Sequence, residues 1–248
     1  MTIDTEHDLQ QLRHIGRIVA IILKEMMART EPGMTTLELD QIGQGLFEFH
    51  EANSAPKLSY DFPGYTCISI NEEAAHGIPG ARIIQAGDMV NIDVSAEKNG
   101  YFADTGGSFI VPPSNALKNR LCHATKTALS EAMGKARAGQ ALNGIGKAIQ
   151  KVAKDKGFKI IKNLCSHGVG RSLHEEPREI RAYYEPRDTR VLTKGMVITI
   201  EPFLSTKNHF AKQSTDGWTL MGDPGNLSAQ YEHTMVITDK SPILLTIA

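Results

Sequence analysis

Cysteine is scarce in this 248-residue chain, and its three cysteines are awkwardly placed for any covalent framework. Cys67, Cys122 and Cys165 are odd in number and far apart, with no Cys-x-x-Cys pair and no zinc-finger spacing. That excludes a disulfide scaffold and fits a reducing cytoplasm. Long apolar runs are missing too. The longest near the start, IVAIIL at 18–23, is far too short for a bilayer, so neither a membrane span nor a signal peptide is expected. Charge of one sign is also lacking: 27 basic and 28 acidic side chains leave a net of −1, which predicts neither disorder nor a broad basic surface for nucleic acid. Three catalytic signatures are absent as well. There is no Gly-x-Ser-x-Gly elbow and no Walker loop, and neither His50-Glu51 nor His174-Glu175 supplies the second histidine of a His-Glu-x-x-His helix.

What is present is a globular α/β pattern. TEHD at 5–8 has capping-box form, and the amphipathic run after it reaches about Ala28, where EPG stops it. A second helix starts at Thr35 or Thr36, carries Leu37, Ile42, Leu46 and Phe49 at helical spacing, and is expected to end near Asn53. From 66 to 110 the texture changes to β-prone runs, TCISI, DMVNIDVS and YFADTGGSFIV, between glycine-rich turns. Helical stretches follow at roughly 114–137 and 142–156, and then further strands, GMVITIEPF and EHTMVITDK. The order helices, strands, helices, strands hints at duplication. GDMVNID and GMVITIE each reach an acid six residues after a glycine, Asp93 and Glu201, with Met-Val inside. We therefore expect a single domain over 1–248, built from related halves of about 1–112 and 113–248.

The chemistry gathers on acids at strand positions. If Asn99-Gly100 makes a two-residue turn, Lys98 pairs with Tyr101 and Asp93 lies opposite Gly106, with Asp104 two residues along on the same face. Diagonal neighbours on one face are roughly 7 to 8 Å apart at the backbone, so both carboxylates can converge on one cation. No Lys or Arg occupies the neighbouring inward positions. Two more apolar strands meet an acid, Glu201 in VITIEPF and Glu232 in SAQYEHTMVI, and SHGVGRSLHEEP brings His167 and His174. Carboxylates with an imidazole suit divalent manganese, iron, cobalt or zinc. Four acids suit two ions, which at a spacing of roughly 3.5 to 4 Å can share bridging ligands and activate a water. His7, His14, His50, His123 and His209 lack such partners, and His233 should face away from its neighbour Glu232.

The ordered set NEEAAHGIPG, NIDVSAEKNGYFADT, SHGVGRSLHEEP, ITIEPF, TDGWT and LSAQYEHT resembles the bacterial type I methionine aminopeptidases over nearly the whole chain. The resemblance implies a pita-bread fold, two pseudo-twofold halves around one dinuclear metal centre, without the internal insertion of type II enzymes or an amino-terminal zinc-binding extension. It implies removal of an initiator methionine before a small second residue. By motif, Asp93 would chelate one ion, His167 and Glu201 the other, and Asp104 and Glu232 would bridge them. Glu201 would also manage the proton of the attacking water, His174 would steady the substrate carbonyl, and His76 would contact the scissile amide. Tyr65, Cys67 and Trp218 match the methionine pocket, and Asn71 and Ser228 match a monovalent-cation site. Three departures touch the pocket: the FPGYTC loop is short, Leu173 stands where an aromatic is common, and Phe203 replaces a methionine. The implied partners are peptide or nascent-chain N-termini, with ribosome contact, for a monomeric cytoplasmic enzyme. Two other readings stay open, an X-Pro peptidase on the same fold and a non-catalytic peptide-binding module.

Overall fold

The computed structural model describes residues 1–248. Helix α1 (Glu6–Ala28) opens with the anticipated reciprocal cap. Asp8 N–H donates to the Thr5 hydroxyl, and Thr5 N–H donates to the Asp8 carboxylate. Two donors that the first helical turn leaves orphaned are thereby satisfied. Thr35 and Glu38 do the same for α2 (Thr36–Phe49). Along α1, Leu12, Ile15, Val19, Ile22 and Met26 alternate spacings of three and four, and all five are fully buried. That stripe presses the helix onto the first sheet.

The second helix stops at Phe49, short of the expected Asn53, because residues 53 and 54 leave it to pair with Glu97 and Ala96. A six-residue helix, α3 (Ala55–Tyr60), then starts on Pro56 in its first turn and ends at Asp61 in the left-handed conformation. Sequence periodicity gave no sign of it, since six residues hold less than two turns.

The first sheet is organised around strand Met89–Lys98, which pairs with Asn53–Ser54, Cys67–Ile70 and Tyr101–Ile110. Asn99 and Gly100 form the connecting turn with φ of +55° and +76°, both in the left-handed region, as the two-residue hairpin of this hand requires. Lys98 pairs with Tyr101 and Asp93 with Gly106, the register read from the sequence. In the second half, α4 (Ala116–Met133) and α5 (Asn143–Lys156) cover a five-stranded sheet. Its order is Ile243–Leu244, His233–Val236, Val197–Ile200, Cys165–Gly168, Glu175–Arg181.

The halves are stitched together at the acid-bearing strands. Thr234 Oγ1 donates to the Asp104 carbonyl at 2.7 Å and accepts from Asp104 N at 3.0 Å. Thr105 Oγ1 donates to the Glu232 carbonyl at 2.9 Å, and Glu232 N donates to the Gly106 carbonyl at 3.0 Å. Asp104 and Glu232, 128 positions apart in the sequence, are thus locked by their own backbones.

Close packing of α5 on the Glu175–Arg181 strand depends on Gly146. A Cβ there would lie 2.3 Å from the carbonyl oxygens of Arg181 and Tyr183, both backbone atoms that cannot swing aside. Gly146→Ala should destabilise the protein by about 1–3 kcal/mol or more through overpacking. Gly144→Ala, two residues earlier in open space, should stabilise it by up to about 1 kcal/mol through helix propensity. Denaturant midpoints of the two variants should move in opposite directions.

Candidate metal centre

Asp93 and Asp104 leave the central hairpin on one face, Glu201 follows the end of strand Val197–Ile200, and Glu232 precedes strand His233–Val236, whose first residue pairs with Ile200. His167 reaches in from the adjoining strand Cys165–Gly168. All five side chains meet. Ligand atoms of Asp104, His167 and Glu232 lie within 4.8 Å of one another. His167 Nε2 is 3.4 Å from Glu201 Oε1 and 3.8 Å from Asp104 Oδ2. Gln230 ties Asp93 to the group: its Nε2 lies 3.5 Å from Asp93 Oδ2 and 3.2 Å from Glu232 Oε2.

A second set of side chains fixes the orientation of the first. Ser95 donates to Asp104 Oδ1 at 2.6 Å. Thr199 donates to Glu201 Oε1 at 3.4 Å. Asn91 Nδ2 donates to Gln230 Oε1 at 2.8 Å, which sets the Gln230 amide with its nitrogen toward the acids. Sequence reading missed Ser95 and Gln230, although a signal existed. Each lies two residues from a named acid on an extended segment, and therefore on the same face.

The electrostatics demand a cation. Burial and mutual repulsion push Asp93, Glu201 and Glu232 well above the usual carboxylate range, and burial raises Asp104 to about 6. Burial, with His174 alongside, holds His167 down at about 3, so this imidazole is neutral and offers no counter-charge. None of the four acids pairs with a lysine or an arginine. Asp93 Oδ1 and Glu232 Oε1 are buried with no hydrogen-bond partner at all, a costly arrangement unless something positive completes it. Carboxylate oxygens plus one imidazole match the donor preferences of divalent manganese, iron, cobalt or zinc. The residues fit the implied metal.

The centre opens into a cavity of about 320 Å³. Of the nine histidines only His76, His167 and His174 line it. His233 faces elsewhere, with Nδ1 2.8 Å from Thr246 Oγ1. Cys67 and Trp218 line the cavity, as do Leu173 and Phe203, the two residues that depart from the common pattern. Tyr65 does not, which corrects its assignment to the pocket. Asp40 accepts hydrogen bonds from Tyr65 N, Thr66 N and Thr66 Oγ1 at 2.7–2.9 Å. The short loop is thereby drawn back, and the Tyr65 ring packs near Phe47. Tyr60 and Phe62 take its place on the wall, Phe62 edge-on to Trp218 with ring centres 5.2 Å apart. Asn71 and Ser228 are adjacent, Ser228 N donating to the Asn71 carbonyl at 3.2 Å, and the Lys118 ammonium lies 3.5 Å from Asn71 Oδ1. A larger groove of about 710 Å³ between α1 and α4 has Leu23, Met27, Leu129 and Met133 among its lining residues and gathers no comparable set of acids.

Buried acids and a histidine converging at the floor of a cavity, on this paired-half α/β frame, define a metal-dependent hydrolase of the pita-bread fold. The chain belongs to metallopeptidase family M24, whose model matches residues 10–239. It is 46% identical over 247 residues to methionine aminopeptidase 2 of Bacillus subtilis (strain 168), covering 99% of both chains. A methionine aminopeptidase structure from Thermotoga maritima superposes with a TM-score of 0.95 at 31% identity, each chain fully covered. The prolidase of Pyrococcus furiosus shares the fold alone. Its TM-score is 0.79 at 22% identity, and the whole of this chain spans 66% of it.

If the four acids repel one another without metal, neutralising one should stabilise the empty site. The folded-state pKa of Asp93 is raised, so its charge costs stability at high pH and nothing once it is protonated. Chelator-treated Asp93→Asn should melt above chelator-treated wild type at pH 8, the gap should narrow toward pH 5, and calorimetry should find metal binding weakened. A lower melting temperature for the variant at pH 8 would contradict this account of the site.

Proposed function

We propose that the protein is a metal-dependent methionyl aminopeptidase that removes the first methionine from peptides and new protein chains. The observation that carries this reading is the convergence of Asp93, Asp104, His167, Glu201 and Glu232 at the floor of a cavity walled by Cys67, Phe62 and Trp218. The relatives named above support it. The X-Pro peptidase reading has only the shared fold behind it, and a binding module would have no use for a full set of uncompensated acids.

Asp93 would hold one divalent ion and His167 with Glu201 a second, with Asp104 and Glu232 between them; cobalt, manganese, iron and zinc all suit these donors. When bound, the ions would supply Lewis acidity toward the scissile carbonyl and lower the pKa of a nucleophilic water. The protein's own groups do the rest. Burial pushes the Glu201 carboxyl above the ordinary carboxylate range, and at the floor of the cavity it would accept a proton from the water and pass it toward the leaving amine. His174 on the cavity wall would donate to the substrate carbonyl oxygen, and His76, held at φ +55° by its turn, would contact the scissile amide. The methionyl side chain would lie against Phe62, Trp218 and Cys67, where sulfur–aromatic contact adds modestly to shape.

A preference for small second residues, a monovalent ion beside Asn71 and Ser228, ribosome contact and a monomeric state rest on the resemblance. The single-domain reading with halves joined near 112 is supported by two large core clusters, one centred on α1 and the first sheet and the other on α4 and α5. A cytoplasmic location is supported by three unpaired cysteines. No helix is long and apolar enough to cross a membrane.

Protein loaded with manganese, iron, cobalt or zinc should release methionine from Met-Gly and Met-Ala peptides, and silence with every metal would end the proposal. Glu201→Gln should lower kcat by roughly 100-fold or more, the scale of a lost acid–base group. Asp104→Ala should lose metal and activity together; elemental analysis showing about two ions per chain in wild type and fewer in the variant would match a bridging role.

A further inference from the structure

The cavity wall contains one polar contact that the site described so far does not use. Tyr60 Oη lies 2.6 Å from His174 Nδ1, and the two rings stand 5.5 Å apart, tilted by 52°. The residues are 114 positions apart, and both line the cavity. The contact is built by local backbone. Helix α3 ends at Tyr60, Asp61 turns the chain in the left-handed conformation, and Phe62 anchors the turn edge-on against Trp218. Tyr60 therefore reaches the histidine from a short helix pinned at its far side.

We propose that Tyr60 is a positioning residue for His174: its hydroxyl donates to Nδ1, holding the imidazole with its proton on Nε2, the nitrogen free to donate to the oxygen of a peptide carbonyl. The inference rests on the aminopeptidase reading and deepens it. A neutral imidazole carries one proton on one of two nitrogens, and the partner at the other nitrogen decides which. Nδ1 is the ring atom with a partner in the protein, and that partner is a phenol, which burial keeps in its protonated, donating form against the pull of the Arg178 charge. Were the proton on Nδ1, Nε2 would present a lone pair to the substrate carbonyl and repel it. The hydroxyl thus selects the tautomer that can stabilise charge developing on that oxygen, as an orienting group does for other catalytic histidines. The ring of Tyr60 also forms part of the wall, so hydroxyl and ring make separable contributions.

Tyr60→Phe keeps the ring and removes the donor, and Tyr60 is 45% exposed, so the variant should fold as wild type does. Its kcat on Met-Gly peptides should fall roughly tenfold or more, the scale of a lost orienting partner, while KM stays within about twofold. Nitrogen-15 NMR of histidine-labelled, metal-free protein, with the His174 signals assigned by their loss in His174→Asn, gives a readout independent of turnover. Wild type should show a protonated Nε2 and an accepting Nδ1, and Tyr60→Phe a mixture of tautomers. A wild-type ring protonated at Nδ1, an unchanged kcat in the variant, or a raised KM with kcat intact would each overturn the proposal. A wild-type protein silent on every Met-X peptide would count against the aminopeptidase reading alone, and the ring-nitrogen spectra would still decide the role of Tyr60.

Discussion

The mutual repulsion of four carboxylates around a neutral imidazole is the constraint that organises this molecule. Two like charges about 4 Å apart repel by on the order of 4 kcal/mol at an effective dielectric near 20. A domain's net stability is only about 5–15 kcal/mol. Several such pairs cannot be left uncompensated, and the structure provides no ammonium or guanidinium to compensate them. It provides instead a frame stiff enough to hold the acids together, with donors that suit a divalent cation. The threonine and backbone bonds between Asp104 and Thr234, and between Thr105 and Glu232, tie the two sheets at the place where the repulsion acts. The buried amides of Asn91 and Gln230 settle the carboxylates of Asp93 and Glu232.

Around this rigid floor the residues that would meet the substrate come from turns and short elements. His76 sits at positive φ before a glycine whose Cβ would meet the Ile68 carbonyl at 2.2 Å. His174 ends a glycine- and serine-containing loop, Tyr60 ends a helix of six residues, and Trp218 lies in a turn held by the Asp216 carboxylate. Strands and their ends fix the clustered acids and His167, and loops and short elements supply the walls. That division lets pocket shape vary while the charged centre stays constant; the departures at Leu173 and Phe203 fall on the wall, and the short loop reaches it only through its ends, Phe62 and Cys67.

The hairpin register was legible because it depends on local facts: Asn-Gly demands a particular turn, and a period of two then places Asp93 and Asp104 on one face. The capping box at Thr5, the four long helices and the acid at the end of each apolar run were legible for similar reasons. Tyr65 was misplaced because a motif records neighbours along the chain. Whether a tyrosine faces the cavity or the core was decided by Asp40, 25 residues away, which draws the loop back. Helix α3 is too short to show a period, so Tyr60 and Phe62 carried no mark of their role.

The sequence by itself determined which side chains could bear the chemistry, since turn geometry, strand alternation and the order of acids and histidines are properties of short stretches read one at a time. Only the tertiary structure decided that the acids meet without a basic partner, that Gln230 stands between two of them, and that a tyrosine from position 60 reaches the histidine at 174. Such facts depend on how distant segments pack. Packing is set by the sum of many weak contacts across the whole chain, and no local stretch of residues contains it.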